Sequence, residues 1–374
     1  MKKILTILFS ALFLLSGCGM SQTPASQSSE STANAEKNQA AKKIQVVTTI
    51  FPEYDWVREV VGNHGDSVEL TLLTDQGTDL HSYQPTVDDL LKISNADLFL
   101  YVGGESDGWI QDALKNAANP QRKTLRMMDV LSDRLKEEEL KEGMEADHDH
   151  DHDHEEADHD HEDTDHSHED HDHEEADHDH DHEEADHDHE DHEDSPEIDE
   201  HVWLSLQNAK IAVQSIADQL SALDPENAAD YKKNAEEYIQ QLSALDQKYE
   251  STLKSLSKNT VVFGDRFPFR YLVEDYHLDY FAAFVGCSAE TEASFQTIIF
   301  LANKVDELQL PAVFTIEGPD HRIAKSVVEN TKAKNQKILQ LNSMQSVTSA
   351  QIEQGIHYLS LMEDNLNQLA EGLK

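Results

Sequence analysis

Cysteine and positive charge are both scarce in this chain. Cys18 and Cys287 are the two cysteines in 374 residues. Cys18 closely follows the N-terminal apolar segment and reads as an anchor point, so no intrachain disulfide is available to staple the folded part. Stability has to come from ordinary apolar cores. Lys and Arg number 29 against 75 Asp and Glu, a formal net charge of −46. Such a field opposes nucleic acid and attracts cations. The longest apolar run, ILTILFSALFLL, is shorter than the roughly 20 residues a membrane-spanning helix needs. Catalytic signatures are missing as well. The HEEAD runs place Asp where the zinc-protease motif H-E-x-x-H needs its second His, and neither a Walker motif nor G-x-S-x-G occurs. The sequence is therefore not read as that of an enzyme.

What the chain has in excess is histidine set among acids. Residues 147–194 hold sixteen of its 22 histidines, with 27 Asp and Glu and no Lys or Arg. The decapeptide HDHEEADHDH occurs at 152–161, 171–180 and 180–189, which is low-complexity duplication and predicts disorder without metal. Imidazole nitrogen suits zinc, copper and nickel, whereas calcium or magnesium would want oxygen ligands alone. The tract therefore implies transition-metal ligation, with zinc the first choice. It supplies −27 of the net charge, and the remainder is a moderately acidic surface.

At the N-terminus, Lys2 and Lys3 precede the apolar run, which has the length of a secretory signal segment. It ends in Leu15-Ser16-Gly17-Cys18, which resembles a bacterial lipobox, where the cysteine is lipidated and the peptide is cut just before it. The polar residues 19–43 then read as a flexible tether. The mature protein is expected to hang from the outer face of a membrane.

Two blocks remain, roughly 44–146 and 195–374, and in both strand and helix patterns alternate, which predicts an α/β architecture. Strands are expected at 44–50, 68–74, 97–103 and 124–130, and again at 260–265, 278–284, 312–317 and 337–341. Thr86 to Asp89 reads as a capping box opening a helix through Ile93. A closing helix is expected from about Ser349. The clearest helical spacing is Tyr231, Ala235, Tyr238, Leu242, Leu245, Tyr249, Leu253 and Leu256, opened by Asp224-Pro225. It predicts a spine about 45 Å long at 1.5 Å per residue, with its tyrosines used for packing.

Outside the tract stand six histidines. His81, in GTDLHSYQP, follows a strand and precedes a helix, and His201, in DEHVWL, precedes another helix. Loops at the carboxyl edge of an open α/β sheet are where such folds bind ligands. His64, His277, His321 and His357 are read as structural, His321 being notable because it lies four residues after Glu317.

The segments HSYQPTVDD, DEHVWLSLQNAK and LDPENAADYKKNAEEY, with a His-rich insert just before the second, resemble the zinc/manganese substrate-binding lipoproteins of bacterial ABC transporters. The likeness covers nearly the whole mature chain. It implies two α/β lobes joined by one long rigid helix, with the metal held in the interlobe cleft. It also implies a signal peptide (1–17), a lipidated Cys18 with its tether (18–43) and a first lobe (44–146). The metal-binding loop (147–194), the rest of the first lobe (195–225), the linking helix (226–257) and the second lobe (258–374) would follow.

Carried over by position, His81 and His201 are the expected ligands of the first lobe and Glu317 the carboxylate of the second. The third family position is a histidine, and this chain reads Val262-Phe263-Gly264-Asp265-Arg266, with Gly264 in its place. Asp265 is the first choice to fill it, and Cys287, after the next strand, is the other candidate. Arg266 is expected to pair with Asp265 or Glu317. The cargo is read as zinc, with manganese the alternative, because a hard cation gains little from sixteen imidazoles. The partners implied are a permease and its ATPase, with the protein itself a monomer. A surface zinc buffer or adhesin is the alternative role.

Overall fold

The computed structural model describes residues 42–115, 118–145, 197–288, 292–318 and 321–374. The leader, Cys18, the tether up to residue 41 and the histidine tract lie outside the described residues.

Two parallel four-stranded sheets organise the molecule. The first contains β1 (Ile44–Thr48), β2 (Val68–Leu72), β3 (Leu98–Tyr101) and β4 (Lys123–Arg126), in the order β2-β1-β3-β4. The second contains β5 (Thr260–Phe267), β6 (Asp279–Val285), β7 (Ala312–Thr315) and β8 (Lys337–Gln340), in the order β6-β5-β7-β8. Each sheet reverses its winding after its first strand, and the crevice at the strand carboxyl ends beside that reversal is the standard ligand position of such folds. The strands are apolar because both faces are covered. Val46 and Val47 point to opposite sides of β1 and both are buried.

Helices α1 (Phe51–Val61), α2 (Val87–Asn95), α3 (Ile110–Lys115), α4 (Met127–Val130) and α5 (Leu206–Leu223) belong to the first lobe. Then α6 (Ala228–Lys254) leads to α7 (Arg270–Asp275), α8 (Phe295–Glu307), α9 (Arg322–Asn330), α10 (Ser349–Glu353) and α11 (Tyr358–Gly372). The capping box at α2 is present, with Thr86 and Asp89 bonding each other's backbone nitrogens. The long helix α6 has 27 residues, about 40 Å at 1.5 Å per residue. Its buried stripe is Tyr231, Ala235, Tyr238, Leu242, Leu245, Tyr249 and Leu253. That stripe packs on α1 and α5 of the first lobe and on α11 of the second, which makes α6 the shared spine.

One buried apolar cluster runs through both halves, from Val46, Ile50 and Trp56 through Tyr238 and Leu242 to Phe263, Phe314 and Leu366. Polar contacts tie the halves as well. Trp203 Nε1 donates to the Ser343 carbonyl at 2.9 Å, and the Tyr358 hydroxyl donates to the Trp203 carbonyl at 2.6 Å. Glu145 N donates to the Ala283 carbonyl at 2.9 Å, so the segment before the histidine tract lies along β6.

Three elements differ from the sequence pattern. The run 124–130 divides into the end of β4 and the turn α4, an apolar stretch too short for periodicity to arbitrate. The spine begins at Ala228, because Asp224 is taken up accepting from Asn227 and the Tyr231 hydroxyl. The closing helix is interrupted between α10 and α11. There the buried Asp55 of α1 accepts from Tyr358 N at 2.7 Å, and a first-turn amide that lacks an intrahelical partner is satisfied by the other lobe.

Candidate metal centre

His81 and His201 reach one point from two loops at the carboxyl edge of the first sheet. His81 sits in a single turn after β2, with the Asp79 carboxylate accepting from His81 N at 3.0 Å and Leu80 buried beneath. His201 is fully buried ahead of the turn Val202–Leu204, whose three side chains are all core. Asp199 folds back on it, its Oδ1 lying 2.8 Å from His201 N and 3.0 Å from Nδ1. The outer nitrogen of the His81 ring lies 2.6 Å from Ser106 Oγ. With both Nδ1 atoms anchored, the two Nε2 atoms are left facing each other at 3.1 Å.

That separation has a chemical meaning. Two nitrogens bound to one tetrahedral zinc at 2.0–2.1 Å stand about 3.3 Å apart. Anchoring the far nitrogen to an oxygen is how metal-binding imidazoles are oriented. Burial, followed by the adjacent His201 ring, pushes the His81 pKa down to about 3. The shift favours the neutral ring, the form that offers a lone pair to a cation.

Among the described residues, two groups of three potential ligands have their donor atoms within 4.8 Å of one another. One is His81, His201 and Cys287. The other, Asp55, Glu59 and His357, encloses the Arg58 guanidinium, whose Nη2 lies 2.7 Å from His357 Nδ1 and 3.1 Å from the Ile356 carbonyl. A cation already stands there. A cavity of about 750 Å³ opens beside the first group, lined by His81, Ser106, Glu200 and Cys287 among others.

Neither group includes Asp265 or Glu317. The Asp265 Oδ2 accepts from Thr315 Oγ1 at 2.7 Å and from Ile316 N at 3.4 Å, which turns it along the sheet toward β7. Glu317 accepts from Ser343 N and Ser343 Oγ, both at 2.7 Å, and from Ser346 Oγ at 3.4 Å. Arg266 pairs with neither of them. Its guanidinium bonds Asp79, across the lobes and next to His81. Burial raises the Asp79 carboxyl, but the Arg266 guanidinium and His81 together hold its pKa below the usual range.

Gly264 is hemmed in. A Cβ there would lie 2.6 Å from the Ala324 nitrogen and closer still to its Cα, both backbone atoms of α9. No histidine fits at this position without displacing that helix. His321 caps α9, with its Nδ1 3.2 Å from Thr315 Oγ1. Ser106 and Asp199, which orient the imidazoles, were not singled out by the sequence pattern. Asp199 had a local signal, an acid two residues before His201, whereas Ser106 meets His81 through the fold alone.

The model of the zinc-uptake complex component A family, described as periplasmic, matches residues 46–372. The high-affinity zinc uptake system protein ZnuA of Bacillus subtilis is 27% identical over 369 residues, spanning 99% of this chain and 97% of that protein. The zinc-binding lipoprotein AdcA of Streptococcus pneumoniae serotype 4 is 29% identical over 340 residues, 91% of this chain but 58% of AdcA. The chain thus spans little more than half the length of that relative. A Zn(II)-bound crystal structure of Streptococcus pneumoniae AdcA superposes with TM-score 0.62 at 25% identity, over 89% of this chain and 58% of that one. The metal-dependent lipoprotein YcdH of Bacillus subtilis gives TM-score 0.64 at 22% identity over 89% and 100%, a likeness that speaks for the fold. With the match running through nearly all of both lobes, the chain belongs to the zinc-uptake complex component A family of substrate-binding proteins.

Proposed function

We propose that this chain is the extracytoplasmic binding component of an ATP-driven zinc importer, which takes one Zn²⁺ between its lobes and passes it to a membrane permease. The observation that carries the reading is the buried imidazole pair, Nε2 to Nε2 at 3.1 Å with both outer nitrogens anchored. The geometry suits a borderline-soft ion with nitrogen ligands, which favours zinc over manganese. His81 and His201 are the first lobe's ligands. Glu317, which accepts from Ser343 N and Oγ, is the carboxylate that joins them on loading. Asp265, held by Thr315 and Ile316, is assigned no ligand role because its one claim was adjacency to Gly264, whereas Glu317 stands at the carboxylate position the family resemblance implies.

The tract at 147–194 collects zinc near the membrane and feeds the cleft. Nine residues separate His192 from His201, a reach of about 30 Å when extended. Cys18 carries the lipid anchor, the protein works as a monomer with a permease and its ATPase, and it catalyses no reaction itself.

Zinc titration of protein lacking 147–194 tests this. One tight site is expected to survive, and His81→Ala or His201→Ala in that background is expected to abolish it. Unchanged affinity in either variant would remove that residue, and loss of the tight site on deleting the tract alone would overturn the cleft assignment.

A further inference from the structure

The second lobe brings one donor to the imidazole pair, the Sγ of Cys287, which lies with the His81 and His201 nitrogens inside a 4.8 Å group. The loop after β6 makes this approach possible. Gly286 lies directly against the His201 ring, where a Cβ would stand 3.0 Å from Cε1, 3.1 Å from Nδ1 and 2.9 Å from the Phe267 carbonyl oxygen. Any side chain at 286 would push the loop, and Cys287 with it, away from the imidazoles. The backbone nitrogen of Cys287 then donates to Glu138 Oε1 at 3.2 Å, so the residue is pinned from the segment that precedes the histidine tract.

The end of β5, where a ligand was expected, supplies nothing to this point. Residue 264 has no room for a side chain, Asp265 is held by Thr315, and Arg266 is a cation held by Asp79. We propose that Cys287 is the third protein ligand of the transported ion, bound as a thiolate beside His81 and His201. This deepens the zinc reading above and rests on it.

The fit is chemical as well as geometric. A tetrahedral zinc with bonds of 2.0–2.1 Å to nitrogen and 2.3 Å to sulfur has an N-to-S edge of about 3.6 Å. The thiol stands within 4.8 Å of a ring nitrogen of each histidine, so it exceeds that edge by about 1.2 Å at most. On binding, the S–H bond is replaced by an S–Zn bond and the proton leaves to water, with no change of oxidation state. A thiolate also sharpens selection, since soft sulfur favours zinc and disfavours manganese.

Cobalt substitution tests the proposal in the full chain carrying Cys18→Ser, so that Cys287 is the one thiol. Tight-site loading with Co²⁺ is expected to produce a near-ultraviolet sulfur-to-cobalt charge-transfer band, which the imidazoles and carboxylates of the tract cannot give, and zinc is expected to erase it. Cys287→Ser should lose the band and weaken zinc, measured by chelator competition, by more than the about 10- to 100-fold that loss of an outer-shell partner costs. Cys287→His should restore tight zinc without the band, which separates ligand loss from misfolding. Tight zinc binding with no sulfur band, and undiminished in Cys287→Ser, would overturn the thiolate assignment while leaving the zinc reading standing. Absence of any tight zinc site in the parent would instead bring down that reading.

Discussion

At the scale of single residues, burial pushes the carboxyl pKa values of Glu53 and Asp107 up. Glu53 is fully buried at the start of α1, its Oε2 accepting from Thr49 N, Thr49 Oγ1 and Ile50 N. Burial, helped by the neighbouring Asp107, pushes its pKa up to about 8 from an ordinary 4.5. Between those two values the folded protein keeps a proton that the unfolded chain has lost, so Glu53 makes stability fall as pH rises through the window. Glu53→Gln is expected to flatten that slope, read by urea unfolding at a series of pH values from 5 to about 8.5. An unchanged slope would show that Glu53 is ionised in the folded state. The proposed ligands differ in how far the sequence reveals them. His81 and His201 stand in short motifs whose neighbours, Asp79 and Asp199, build the turn that holds them, so local sequence carries the information. The second lobe's proposed donor, Cys287, was legible only as the alternative to Asp265. Adjacency to the empty position pointed to Asp265, but strand β5 aims that carboxylate at Thr315 on the next strand, and it is the loop after β6 that comes over the imidazoles.

At the scale of elements, apolar patterning was sufficient for the spine and for strands buried along most of their length, such as β3, β5 and β7. Their ends were less legible, since these depend on tertiary partners such as Asp55, which caps α11 from another lobe. The spine offers the sharpest mechanical test. Leu242 is fully buried in the apolar stripe of α6 that faces both lobes. Leu242→Ala is expected to cost about 2–5 kcal/mol, through lost burial and the cavity it leaves. Denaturant unfolding should show one cooperative transition moved to lower midpoint. Two separate transitions would mean that the lobes fold independently and that the helix is a tether.

At the scale of the whole molecule, the lobes are joined by more than a hinge. The apolar cluster is continuous from Val46 to Leu366, Trp203 and Tyr358 bond across the halves, and Arg266 reaches over to Asp79. Zinc loading of tract-deleted protein is therefore expected to leave the radius of gyration in small-angle scattering unchanged within error. A clear compaction would indicate jaw-like closure and contradict a shared core. Continuity of that core also bears on kinetics. An ion held by groups from both halves cannot escape by prising them apart, because doing so would expose much of the interior on which the native state depends. With the ligands proposed above, departure would proceed through the rim, by rearrangement of the short turns that bear His81 and Cys287. Left alone, such a carrier should hold its cargo for a long residence time, and the receiving transporter would set the rate of unloading by deforming those turns on contact.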